Sequence, residues 1–136
     1  LIRDIVKNPE FLKQKSIPAI KSDVSIGQDL QDTLQANKER CVGMAANMIG
    51  YSKRIIIVNI GLLNIVMYNP IIVDCKQPYQ TSEGCLSLVG TRPTIRFKEI
   101  KVQFLNQQWE KQELTLTDFA AEICQHEMDH LEGKLI

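Results

Sequence analysis

Both histidines of this 136-residue chain fall in one five-residue stretch, His126-Glu127-Met128-Asp129-His130. On a helix, residues four apart lie one above the other, so the two imidazoles can grip a single metal ion. Glu127 then stands beside the ion without ligating it, where a general base for a bound water belongs. The flanking pattern predicts that helix. Thr117 suits an N-cap and Gly133 a C-terminal stop. Asp118, Glu122, Gln125, Asp129 and Glu132 mark a polar stripe, while Phe119, Ile123, His126, Glu127 and His130 share an apolar face. An accidental match, with two histidines merely lining a partly buried helix, is the plain alternative. Two imidazoles and a carboxylate turned inward together are costly, however, unless they pair or bind a metal.

A catalytic site of this kind needs three protein ligands and an open position. With no third histidine, the remaining donor must be a cysteine or a carboxylate. The cysteines are Cys41, Cys75, Cys85 and Cys124, and no CxxC pair occurs among them, which argues against a four-cysteine structural zinc site. Cys85 stands at the end of the polar turn Glu83-Gly84-Cys85-Leu86-Ser87, where a thiolate can reach a metal held by the helix. Cys75 and Cys124 are expected as small buried hydrophobes.

Glu83-Gly84-Cys85-Leu86-Ser87, followed by Gln125-His126-Glu127-Met128-Asp129-His130-Leu131, resembles the peptide deformylase family. The family's other signature, Gly-x-Gly-x-Ala-Ala-x-Gln, has its counterpart in Cys41-Val42-Gly43-Met44-Ala45-Ala46-Asn47-Met48. By motif the resemblance covers the chain from about residue 40 onward. It implies that Cys85, His126 and His130 hold one divalent ion, that Glu127 handles protons, and that the Leu86 backbone N–H faces the developing oxyanion. It further implies an N-formylmethionyl peptide as substrate, nascent chains at the ribosome included, bound as an added strand beside Val42 and Gly43. Gly84 and Arg92 match positions near the substrate; for Arg92 the competing reading is a surface residue or a salt bridge to Glu83. Phe119 and Ile123 are candidates for the methionine pocket, with plain core as the alternative. The ligand types suit iron(II), zinc, nickel or cobalt; the resemblance implies iron(II) natively, with zinc or nickel able to replace it in a purified sample.

Two departures stand in the first motif: Cys41 replaces its first glycine and Met48 its glutamine. In the family that glutamine amide looks toward the oxyanion, and losing one such donor typically costs about a hundred- to a thousandfold in turnover. Asn47 carries an amide, but in an extended segment its side chain points to the opposite face. A deformylase-like hydrolase with weakened activity or another acyl-amide substrate is therefore the main alternative, ahead of a non-catalytic metal-binding relative. An HExxH peptidase usually needs a further His or Glu ligand beyond the helix, and Glu132 lies too close to serve.

Sixteen basic residues balance sixteen acidic ones, so no global field draws nucleic acid or an anionic membrane. No apolar run reaches membrane-span length, and four cysteines without a disulfide framework suit a reducing cytoplasm. The length predicts one domain over residues 1–136. Ser25 is expected to cap a helix over 26–40. Arg54 to Val58 reads as a strand buried on both faces, Gly61 as a turn, and Asn64 to Tyr68 as the returning strand. Asn69-Pro70 reads as punctuation before a strand at Ile71, Ile72 and Val73. Thr94 to Phe104 alternates with an irregularity near Glu99, and Glu113 to Leu116 returns. Strands followed by one inward-facing helix predict an α+β fold, with antiparallel or mixed sheets around the C-terminal metal-binding helix.

Overall fold

The computed structural model describes residues 1–85 and 88–135, with the backbone alone at residues 88 and 89. Five strands form an antiparallel meander in chain order: β1 (Gly43–Ala45), β2 (Ile55–Asn59), β3 (Asn64–Cys85), β4 (Leu88–Leu105) and β5 (Lys111–Thr117). Three α-helices accompany them: α1 (Pro9–Leu12), α2 (Val24–Ala36) and α3 (Asp118–Leu131). The fold is α+β, as the element pattern predicts.

The apolar run in β2 has a simple cause. Both α2 and α3 pack on this strand, so Ile55, Ile56, Ile57 and Val58 are all fully buried although successive side chains point to opposite faces. Its hairpin turns at Gly61, whose φ of 109° is left-handed, into the paired return Ile55↔Tyr68 through Asn59↔Asn64.

Four boundaries differ from the sequence expectation. Helix α2 spans Val24–Ala36 instead of 26–40, so Ser25 lies within its first turn and is not its cap. A 3-10 turn, Lys21–Asp23, precedes it, and Asp23 accepts from the Ile20 N–H at 2.8 Å while pairing with Lys53 at 3.2 Å. Asn69-Pro70 does not end a strand; β3 runs through it with a register shift between Tyr68 and Ile71. Asn69 tolerates the left-handed φ of 52°, and its side-chain amide holds the backbone of Ala19 with bonds of 2.7 and 3.0 Å. Near Glu99 the pairing is regular through Cys75↔Ile100, Lys76↔Glu99 and Pro78↔Phe97, and the register shift falls just beyond, between Ile72 and Asp74 opposite Val102 and Lys101. What changes there is the neighbourhood, because β5 pairs with β4 only as far as Glu99↔Thr117. Finally, the segment after β1 is not extended: Ala46–Ile49 is a 3-10 turn.

Cys124 is buried as expected, whereas Cys75 sits exposed on the β3–β4 ribbon. Helix α3 lies against β1, β2 and β4, burying Ala121, Ile123, Cys124 and Leu131. Thr117 occupies its N-cap position without a side-chain hydrogen bond. Gly133 ends it with φ 79°, and any Cβ there would run into the Lys13 carbonyl. The C-terminal end of the metal-motif helix is thereby fixed.

Candidate metal centre and its cavity

One turn apart on α3, His126 and His130 bring their Nε2 atoms within 3.0 Å of each other, with the rings edge to face. From the end of β3, Cys85 Sγ joins them, and one donor atom from each of the three residues lies within 4.8 Å of the others. The outer ring nitrogens fix the tautomers. His126 Nδ1 lies 2.7 Å from Glu83 Oε1, and His130 Nδ1 lies 3.3 Å from the Lys134 carbonyl. A carboxylate and a carbonyl only accept, so each Nδ1 carries the hydrogen and each Nε2 presents a bare lone pair. Two lone pairs aimed at each other at 3.0 Å repel unless a cation stands between them. Together with a thiol, this donor set fits a divalent metal of the zinc or iron(II) type, and the Glu83 contact is the outer-shell support such ligands use.

A proton can take the same place. Burial lowers the pKa of His126, but its contacts with Cys85 and Glu83 outweigh that and push it up to about 10. His130, by burial first and by the charge on His126 second, is pushed down to about 4. A proton placed between the two Nε2 atoms relieves the same repulsion as an ion, and metal binding would displace it.

Glu83 is itself held in a buried ion network. Arg96 Nε and Nη2 donate to its carboxylate at 2.8–3.2 Å, and Arg96 Nη1 donates to Asp129 Oδ2 at 2.6 Å. Burial raises the Glu83 pKa, but the bonds from His126 and Arg96 win and hold it at about 2. The arginine facing Glu83 is therefore Arg96 and not Arg92. Arg92 stands opposite Glu83 in the strand register, is half-buried, and its Nη1 has no partner among the described residues. Arg96→Leu is expected to lower stability by about 3–5 kcal/mol, because it strands buried Glu83 without its guanidinium. The sign with pH follows from the depressed pKa: the pair's contribution is complete above about pH 4.5 and lost as pH falls toward 2. In the variant, acid unfolding should begin at higher pH; equal melting and acid midpoints for the two proteins would show that the network contributes nothing.

The ligands open onto a cavity of about 550 Å³. Val42, Gly43, Met48, Gly84, Phe119 and Ile123, all expected near the substrate, line it, as do Cys85, His126 and Glu127. His130 and Arg92 are not among the lining residues, and Leu86 falls outside the described residues. Phe119 is 61% exposed at the mouth, so its helix position is not inward, whereas Ile123 is buried. Gln125 departs the other way: it is buried, exchanging hydrogen bonds of 2.8 Å with both the N–H and the carbonyl of Phe97 in β4.

Glu127 is 5% exposed and its Oε1 has no hydrogen-bond partner among the described residues. Burial pushes its carboxyl up to about 7, against the nearby charge of His126. Its close neighbour is β1. A Cβ on Gly43 would lie 2.6 Å from Ile123 Cγ2 and 3.1 Å from Glu127 Oε2, so only glycine lets the strand approach the helix this closely. Met48 is buried, with its sulfur 3.4 Å from the Ala45 N–H. Asn47 sits in a 3-10 turn and not in an extended strand, but it does not line the cavity: its amide donates to the His130 carbonyl at 2.9 Å, tying the turn to α3.

Six cavity residues were not singled out for the site from sequence: Arg40, Cys41, Ser82, Glu83, Gly90 and Glu122. Cys41 registered only as a lost glycine. Its thiol donates to the Gly43 carbonyl at 2.8 Å, and burial, then the Glu127 charge, raises its pKa to about 12.

Against known proteins, a family model described as polypeptide deformylase matches residues 2–136. The peptide deformylase of Clostridium beijerinckii is 48% identical over 136 residues, covering all of both chains. That of Aquifex aeolicus is 35% identical over 144 residues, covering 98% of this chain and 84% of its own. Among solved structures, a Met-Ala-Ser-bound class I type b peptide deformylase from Acinetobacter baumannii superposes with a TM-score of 0.89 at 28% identity, covering 99% of this chain and 97% of that one. Three motifs in order, a fold matched over nearly the whole chain and relatives of full length agree: the chain belongs to the peptide deformylase family.

Proposed function

We propose that this protein, acting as a single domain, removes the N-formyl group from formylmethionyl peptides, using one divalent ion held by Cys85, His126 and His130. The observation that carries this reading is the pair of imidazole lone pairs converging with a thiol next to an unpartnered, buried carboxylate. When bound, the ion supplies Lewis-acid chemistry, which makes water a competent nucleophile near neutral pH. Glu127 Oε1 accepts the proton of the attacking water, which adds to the formyl carbon. The same carboxyl then delivers a proton to the amine nitrogen as the C–N bond breaks, leaving formate and a free N-terminus. Glu83, anchored by Arg96, keeps the His126 ring turned toward the ion.

The peptide has a place to lie. β1 is the outermost strand of the meander, so among the described residues one of its edges is unpaired in the sheet, and Val42 and Gly43 line the cavity. An extended substrate adds to such an edge by main-chain hydrogen bonds. Arg92 Nη1 is offered as a further donor to the peptide chain, and the Leu86 N–H as the backbone donor to the oxyanion. Thiolate with two imidazoles suits iron(II), zinc or nickel, and iron(II) is our choice for the native ion. Among the described residues no helix is long and apolar enough to cross a membrane. We place the protein in the cytoplasm, acting on nascent chains.

Met48 favours a second reading, in which the site is weakened or reshaped for another acyl amide. Formate release from formyl-Met-Ala-Ser by anaerobically iron-loaded protein tests the first. Turnover yielding formate and Met-Ala-Ser is expected; no turnover at full metal content would overturn it. Met48→Gln separates the two. In a weakened deformylase, restoring one oxyanion donor raises kcat by at most about a hundred- to a thousandfold. Unchanged kcat with intact fold and metal would mark Met48 as part of a pocket for something else.

A further inference from the structure

We propose that Glu122 sets the specificity of the pocket receiving the substrate's first side chain, admitting, beside methionine, a side chain that ends in a hydrogen-bond donor, as lysine and glutamine do. The inference rests on the deformylase reading of the site. Phe119, Glu122 and Ile123 precede His126 on α3, and all line the cavity. Glu122 stands four residues before His126, roughly 6 Å along the helix axis. An unbranched side chain entering from the reacting centre therefore passes Ile123 and ends beside Glu122.

The walls there are apolar, from Val42, Phe119 and Ile123, and Glu122 sets a half-buried carboxyl among them, beside Tyr79 and Glu83. Glu83 is occupied by Arg96 and His126, and Glu127 stands by the ligands. Tyr79 donates its hydroxyl to Glu122 Oε1 at 3.2 Å, which fixes the carboxyl and is its one side-chain donor among the described residues. The nearby cation, Arg96, is shared between Glu83 and Asp129. The carboxyl forms no ion pair among the described residues; Arg40, a cation lining the same cavity, donates instead to Asn37 Oδ1 at 2.7 Å. Burial first, then the hydrogen bond and like charge it shares with Glu83, raises its pKa from the ordinary glutamate value, against Tyr79 and Arg96. A pocket for a thioether alone gains nothing from a carboxylate, which must lose water for each methionine that enters. A donor-ended side chain replaces that water with a charge-assisted hydrogen bond.

The test compares formylated Xaa-Ala-Ser peptides with methionine, norleucine, glutamine or lysine first. The iron-loaded wild type is set against Glu122→Leu and Glu122→Gln. In the wild type the lysyl and glutaminyl peptides should be cleaved measurably. In Glu122→Leu, the ratio of kcat/KM for lysine to that for norleucine should fall by about tenfold to a hundredfold, the worth of one charge-assisted hydrogen bond. Glu122→Gln, which keeps an acceptor, should recover part of that ratio. Calorimetric binding of unformylated Lys-Ala-Ser and norleucyl-Ala-Ser reads the same pocket without turnover. If no formyl peptide is cleaved, the deformylase reading fails while the binding ratio still judges Glu122. An unchanged lysine-to-norleucine ratio in Glu122→Leu, in binding and in any cleavage seen, would overturn the proposal and leave Glu122 an anchor for Tyr79.

Discussion

Glu127→Gln is expected to cut formate release from a formylmethionyl peptide by about a hundred- to ten-thousandfold, the usual worth of a positioned general acid–base group. Metal content should stay at the wild-type level. The carboxyl is buried, its Oε1 has no partner, and it lies against Gly43, where nothing larger than hydrogen fits on the strand. Glutamine preserves that shape. It removes only the capacity to accept and return a proton, and it leaves Cys85, His126 and His130 untouched. The loss should therefore appear in kcat and kcat/KM together, with KM little changed, since the interaction belongs to the transition state. Steady-state kinetics beside metal analysis of the same sample checks this. A variant turning over near the wild-type rate with its ion in place would show that another group moves the proton.

The metal helix was legible because three independent signals coincide on α3. The histidine spacing matches one turn, the apolar residues keep the same phase, and Thr117 and Gly133 mark the ends. The double burial of β2 was legible too, since four β-branched residues in succession suit only a strand covered on both sides. The support of the site was not. In β4 the apolar residues Ile95 and Phe97 look like the inward positions, yet Ile95 is exposed and the inward phase holds Arg96, in step with Ile100, Val102 and Phe104. A buried arginine reads as a surface residue until its partners are known, and Glu83 and Asp129 lie 13 and 33 positions away in the chain. Glu122 and Gln125 were assigned to a solvated stripe for the same reason. Gln125 is drawn inward by the Phe97 backbone, and Glu122 toward the cavity beside Tyr79; neither partner is near in sequence.

Cys85→Ala is expected to abolish stable metal loading while leaving the metal-free fold almost unchanged. Cys85 is half-buried at the end of β3, takes no part in the Glu83–Arg96–Asp129 network, and leaves only a small gap when truncated. In chelator the variant gains only that gap and loses only the thiol's contact with His126, so it should melt close to the wild type. The difference should appear when zinc is added. An ion that binds only the folded state stabilises it by about 4 kcal/mol at a thousand times its Kd, and the variant should show little of that rise in Tm. His126→Ala makes the contrast. It also removes a ligand, but it deprives Glu83 of its 2.7 Å partner as well, so this variant should melt lower even in chelator. Wild-type metal content in Cys85→Ala, with the full zinc-induced shift in Tm, would sink the assignment of Cys85 and send the search for the third ligand elsewhere in the cavity, to Cys41 first. That cysteine lines the same space, and its thiol already lies close enough to Glu127 to feel its charge.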